Sequence, residues 1–133
     1  MPAYSKEFPW PSYYGNFKFF EDKIRAHSNV ISLERCGTGV YVLERESGKG
    51  LKVFICECYA FGIAEYMEAV ENLGPLDAII INSLWCGYSK DAKLHSRQHK
   101  VGLFKIGDFM AALNRDDFWN HLNESEREHY EEG

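Results

Sequence analysis

The run Leu51-Lys52-Val53-Phe54-Ile55-Cys56-Glu57-Cys58-Tyr59 is apolar at nearly every position. A strand with one wet face alternates apolar and polar residues, whereas a nearly continuous run of this length reads as a central strand buried on both faces. Two more strand-like segments precede it. Val30 to Cys36 ends at Gly37-Thr38-Gly39, and Val40 to Glu46, rich in β-branched and aromatic residues, ends at the turn Ser47-Gly48-Lys49-Gly50. Short turns between successive strands predict three antiparallel neighbours.

Helices are expected on either side of this meander. Asn16 can cap a helix in which Phe17, Phe20 and Ile24 recur at helical spacing, ending near Ser28 or Asn29. A second helix spans about Phe61 to Leu73, with Ile63, Met67 and Val70 as its buried stripe and Glu65, Glu68 and Glu71 outside; Gly74-Pro75 stops it. Ala78-Ile79-Ile80-Ile81 follows as a buried strand. Ser89 caps a helix running to about His99, Val101 to Ile106 is a strand, and Asp108 caps a short helix carrying Phe109, Met110 and Leu113. Phe118, Trp119 and Leu122 form one more packing element. Alternating strands and helices imply parallel crossovers, so the expectation is an α/β fold: a central mixed β-sheet of about five strands flanked by helices.

Residues 1–15, with Phe8, Pro9, Trp10, Pro11, Tyr13 and Tyr14, cannot be helical around their prolines and are expected to lie over the core as a strap. Residues 16–122 form one α/β domain, and 123–133 form an acidic tail, frayed or helical and solvated. Hydrophobic residues make up 45% of the chain and aromatics 15%, enough for a core that needs neither disulfides nor metals. Cys36, Cys56, Cys58 and Cys86 lie in or beside apolar segments and read as buried thiols. No apolar run approaches the roughly 20 residues of a membrane span, and Met1 to Trp10 lacks a signal-peptide pattern. A cytoplasmic protein is the expectation. The net charge of −5 argues against tight nonspecific nucleic-acid binding.

The order of elements from Phe17 to Leu113 is similar to the core of the restriction-endonuclease-like, or PD-(D/E)xK, superfamily. Gly39-Val40-Tyr41 and Phe54-Ile55-Cys56-Glu57-Cys58-Tyr59-Ala60 resemble its second and third strands. Ile80-Ile81-Asn82-Ser83, Tyr88-Ser89-Lys90-Asp91-Ala92 and Val101-Gly102-Leu103-Phe104 resemble the closing part of Mrr-type nucleases. The resemblance implies a divalent-metal site built from an Asp on the second strand and a Glu two residues before a Lys on the third. Mg²⁺ takes oxygen ligands and activates water for attack on phosphorus. In this chain Glu57 falls at the Glu position, Tyr59 stands for the Lys and Tyr41 for the Asp. Neither phenol supplies the charge that the chemistry needs. Glu44 or Glu46, which share the face opposite Tyr41 unless the register differs, and Glu21 on the first helix are candidate relocated carboxylates; Lys52, Lys90 and Lys93 are candidate lysines. A cofactor is not expected unless the protein is active, in which case Glu57 would hold Mg²⁺ or Mn²⁺. The favoured reading of Glu44, Glu46, Lys90 and Lys93 is solvated surface charge.

Other groupings are weaker. Cys56 and Cys58 lack a second pair at zinc spacing, and His95 with His99 would need Cys58 or Cys86 to make a zinc site. Gly48-Lys49-Gly50 is too short for a phosphate loop. Trp85 and Tyr88 follow a strand's carboxyl end, where open α/β sheets place ligands and where a ring could stack on a base. With Lys90, Lys93 and Arg97 they are the candidate residues for binding nucleic acid or a partner. The expectation is thus a diverged, non-catalytic nuclease-fold domain that binds nucleic acid or a protein. An active metal-dependent endonuclease and an assembly domain without nucleic acid are the alternatives, and homodimerisation is compatible with all three.

Overall fold

A computed structural model describes residues 10, 17–46, 50–58, 60–82, 87–115 and 117–130. Its centre is a five-stranded mixed sheet built from β1 (Val30–Gly37), β2 (Val40–Arg45), β3 (Leu51–Cys56), β5 (Ala78–Ile81) and β7 (Gly102–Lys105), in that spatial order. β1, β2 and β3 are antiparallel neighbours, while β3, β5 and β7 run parallel. The expected meander and crossovers are both present. Two short strands, β4 (Ala60–Phe61) and β6 (Gly87–Tyr88), pair in parallel outside the main sheet.

Helices cover both faces, as a strand buried on both sides requires. Val53 and Ile55 of β3 face a core completed by Phe20 and Ile24 of α1 (Lys18–Arg25) and by Phe109 and Ala112 of α4 (Ile106–Ala112). Phe54 and Cys56 face the opposite core with Tyr66 and Ala69 of α2 (Ile63–Leu73) and Ala92 of α3 (Lys90–Gln98). Val53, Phe54 and Ile55 are all inaccessible to solvent. Burying side chains of this kind contributes about 1.5–3 kcal/mol each, so β3 anchors both layers. A turn at Phe118–Asn120 and a last helix, α5 (Glu124–Tyr130), close the described chain.

The structure corrects several details. α2 is turned relative to the expected stripe. Ile63 and Met67 are 40% and 53% exposed, and Tyr66 and Ala69 are buried, with Val70 and Leu73 packed beside them. The sequence offers two overlapping apolar stripes here. The buried one carries Ala69, whose small side chain lets the helix approach the sheet, and Tyr66, whose ring meets His95 edge-on at 5.1 Å. Glu65 accepts a hydrogen bond from the Gly62 amide at 2.9 Å, which fixes where the helix starts. Cys36 is exposed on edge strand β1, unlike buried Cys56 and Cys58; Cys86 lies outside the described residues. Asp108 lies inside the first turn of α4 instead of capping it, and β3 ends at Cys56, before Glu57. Of the expected strap, Trp10 alone is described; it is buried against Phe54 and Phe61 at ring distances of 6.4 and 6.0 Å. Asn16 and the turn residues 47–49 lie outside the described residues.

Gly39 sits in the left-handed region at φ +72°, and a Cβ added there would run into the Ile55 carbonyl oxygen. That carbonyl belongs to the central strand, whose Ile55 amide donates to the Gly39 carbonyl at 2.8 Å. Gly39→Ala should therefore cost about 2 kcal/mol or more, measured by urea denaturation. Gly74, at φ +77° with open space around it, tolerates the added methyl better, limited to its backbone strain.

Candidate functional site

Tyr41 sits at the position that the resemblance assigns to a metal-binding Asp. It is fully buried in the α1-side core, with its ring against Phe20 at 5.1 Å and Phe17 at 6.5 Å. Its hydroxyl donates to Glu21 Oε2 at 2.5 Å. Arg25, one turn along α1, lies 3.6 Å from Glu21 Oε1. Burial first, and then the bond to the Glu21 carboxylate, hold the Tyr41 phenol well above the ordinary tyrosine range. Two sequence-predicted residues thus meet, but as a phenol–carboxylate pair.

Glu57 does not join them. Tyr41 lies opposite Val53, and Glu57 is four residues further along. At about 3.3 Å per residue that is a separation of about 13 Å along the strand direction. Glu57 is half-buried beyond the end of β3, with its amide donating to the Trp10 carbonyl at 2.8 Å. Tyr59 lies outside the described residues. Glu44 is exposed on the sheet face opposite Tyr41, and Lys52 is tied to the end of α2 by a 2.7 Å bond to the Leu73 carbonyl. Among the described residues no three His, Cys, Asp or Glu side chains are grouped to share a metal ion. His95 and His99 lie together, ring centroids 4.7 Å apart, against Tyr66.

The expected surface lysine at 93 is instead fully buried. Its ammonium donates to the Leu103 carbonyl at 2.5 Å, lies 4.1 Å from the Phe104 ring centre and is 3.9 Å from Glu126 Oε1. Tyr88 donates its hydroxyl to the other Glu126 oxygen at 2.5 Å. Glu126 also caps its own helix reciprocally with Asn123: Asn123 N–H donates to Glu126 Oε1 at 3.1 Å and Glu126 N–H donates to Asn123 Oδ1 at 2.8 Å. Asn123 Nδ2 in turn donates to Asp108 Oδ2 at 2.9 Å. The acidic tail is therefore not simply solvated: α5 docks through a buried carboxylate on a lysine and a tyrosine that the sequence suggested for binding. Arg97 reaches Asn120 Oδ1 at 3.4 Å, and its Nε is buried with no hydrogen-bond partner among the described residues. Lys90 is exposed at the start of α3, and Trp85 lies outside the described residues.

A cleft that sequence reasoning missed opens where β5 and β7 end and α1 passes over them. It has a volume of about 510 Å³ and is walled by Phe19, Ile81, Ile106 and Met110, with Lys23, Asn82 and Lys105 also lining it. Phe19 and Lys23 are i and i+4 on α1 and so share a face. That spacing was the one available signal; Phe17, Phe20 and Ile24 hid it by defining the buried face instead.

Comparison with protein-family models, with curated proteins and with solved structures finds no match to this chain.

Burial pushes the Lys93 amine down to about 8, against the opposing pull of Glu126 and Asp108. The unfolded chain keeps that proton up to about 10.5, so between the two values unfolding takes up a proton and stability rises with pH. The rise should reach up to about 2 kcal/mol between pH 8 and 10 in denaturation experiments and be absent from Lys93→Met. Glu126→Ala, which strands the buried ammonium and the Tyr88 hydroxyl, should cost about 3 kcal/mol near pH 7 and expose the α5 amides to hydrogen exchange.

Proposed function

We propose that the chain is a diverged, non-catalytic domain of nuclease-like architecture that acts by binding a protein partner. The helix, three-strand meander, helix and parallel-strand order supports the architectural half of this reading. The functional half rests on Tyr41. At the position where the chemistry requires a metal-binding carboxylate stands a buried phenol, and the nearest acid, Glu21, is engaged by it. Glu57 is offset from that point along the sheet.

Protein is favoured over nucleic acid by where the charges lie. The net charge is −5, and the basic stretch loses Lys93 to the interior and part of Arg97 to Asn120. Meanwhile Ile63 and Met67, one turn apart on α2, present apolar surface to solvent.

Two assays test the reading. Supercoiled plasmid incubated with Mg²⁺ or Mn²⁺ should show no nicking above buffer; nicking that disappears in Glu57→Ala would overturn the non-catalytic claim. Mobility shifts with duplex and single-stranded DNA or RNA should be absent at physiological salt. Salt-sensitive binding, weakened by Lys90→Ala, would replace the protein partner with nucleic acid.

A further inference from the structure

We propose that Lys93 and Tyr88 form a carboxylate socket that α5 fills in cis, and that an acidic helical segment of a protein partner fills it in trans by displacing α5. This rests on the protein-partner reading and names the segment it recognises.

The way α5 is anchored comes first. Of its side chains at 124–128, Glu126 alone is buried and the others are exposed. A helix fixed in a fold by its packing buries an apolar stripe; along this stretch a single carboxylate takes that place. Both oxygens are engaged from other elements: Oε1 lies 3.9 Å from Lys93 Nζ on α3, and Oε2 accepts from the Tyr88 hydroxyl on β6. Desolvation offsets much of the attraction in a buried ion pair, so such a pair fixes register more than it adds stability. An anchor of this kind suits exchange. A second carboxylate that enters as Glu126 leaves keeps the ammonium paired, whereas losing the carboxylate outright strands it. α5 also closes the described chain, just after buried Leu122, so its release unthreads no other described element.

The contacts define what the partner presents. Three residues before Glu126, Asn123 caps α5 through Oδ1 and donates from Nδ2 to Asp108 Oδ2 at 2.9 Å. Asn-x-x-Glu at the start of a helix therefore meets two points on the body of the fold, Asp108 and the socket, in one capping arrangement. A carboxylate with a carboxamide beside it matches this pairing of one ammonium with one acid, while Asp108 opposes a phosphate chain.

The probe is a synthetic peptide of residues 121–130, added to the isotope-labelled full chain and followed by amide NMR and hydrogen exchange. Binding should be saturable, should shift the amides of Tyr88 and of residues 90–97, and should speed exchange of the α5 amides while β3 and β5 keep their protection. Tethered α5 competes at an effective concentration of about millimolar. Asn123→Ala in the full chain removes the cap and the Asp108 bond but keeps the Lys93 pair, and should bind the peptide about tenfold tighter. Glu126→Gln in the peptide, or Lys93→Met in the chain, should each weaken binding about tenfold. No saturable binding to either wild type or Asn123→Ala, binding without faster α5 exchange, or undiminished binding of the glutamine peptide would each overturn the proposal. Any of these with mobility shifts still absent leaves the protein-partner reading standing on another surface; salt-sensitive nucleic-acid binding would overturn that reading itself.

Discussion

The hydrogen bond from Tyr41 to Glu21 sets the phase of α1 on the sheet. With Glu21 turned toward a buried phenol on β2, Phe20 and Ile24 must point into the core and Phe19 and Lys23 must point away from it, toward the ends of β5 and β7. One contact thus does three things. It satisfies a buried hydroxyl, it engages the carboxylate of Glu21, and it leaves Phe19 and Lys23 lining a cleft. A hydrogen bond to a charged acceptor in a buried setting is worth about 1.5–3 kcal/mol, enough to prefer this helix phase over its neighbours.

The second buried polar centre works the other way round. Lys93, Glu126 and Tyr88 bring charge into a core that would be more stable, side for side, if it were hydrocarbon. What the network supplies is position: it holds α5 against α3 and β6, and it uses a carboxylate oxygen that also caps α5 itself. His121 lies beside it with its ring 6.2 Å from Phe104, and burial holds its imidazole below the usual range.

Much of the sheet was legible because burial writes a simple pattern. Ala78 to Ile81 is apolar at every position, with no alternation to suggest a wet face, and β3 is apolar from Val53 to Cys56. Antiparallel order followed from the short turns, and parallel order from the helices between later strands. The phase of α2 was not legible, since Ile63-Met67-Val70 and Tyr66-Ala69-Leu73 both have helical spacing and only packing against His95 and the sheet separates them. Lys93 was misread for a related reason. A lysine beside Lys90, His95 and Arg97 looks like one of a solvated row, and its partner Glu126 lies 33 residues away in what reads as an acidic tail. Long-range pairs of opposite charge leave no local signal. At the candidate site, Tyr41, Glu21 and Glu57 were each singled out from sequence, but the register that joins the first two and separates the third depends on which residues of β2 and β3 oppose one another.

Tyr41 is a buried, protonated phenol held on Glu21, and its ionisation is directly observable. With tyrosine labelled at ¹³Cζ and the Tyr41 signal assigned through Tyr41→Phe, a pH titration by NMR should show that signal unmoved through the range where exposed tyrosines ionise, changing only when the protein unfolds. A Tyr41 signal that titrates with an ordinary midpoint near 10 in the folded protein would contradict the pairing, and with it the placement of α1 and of the cleft.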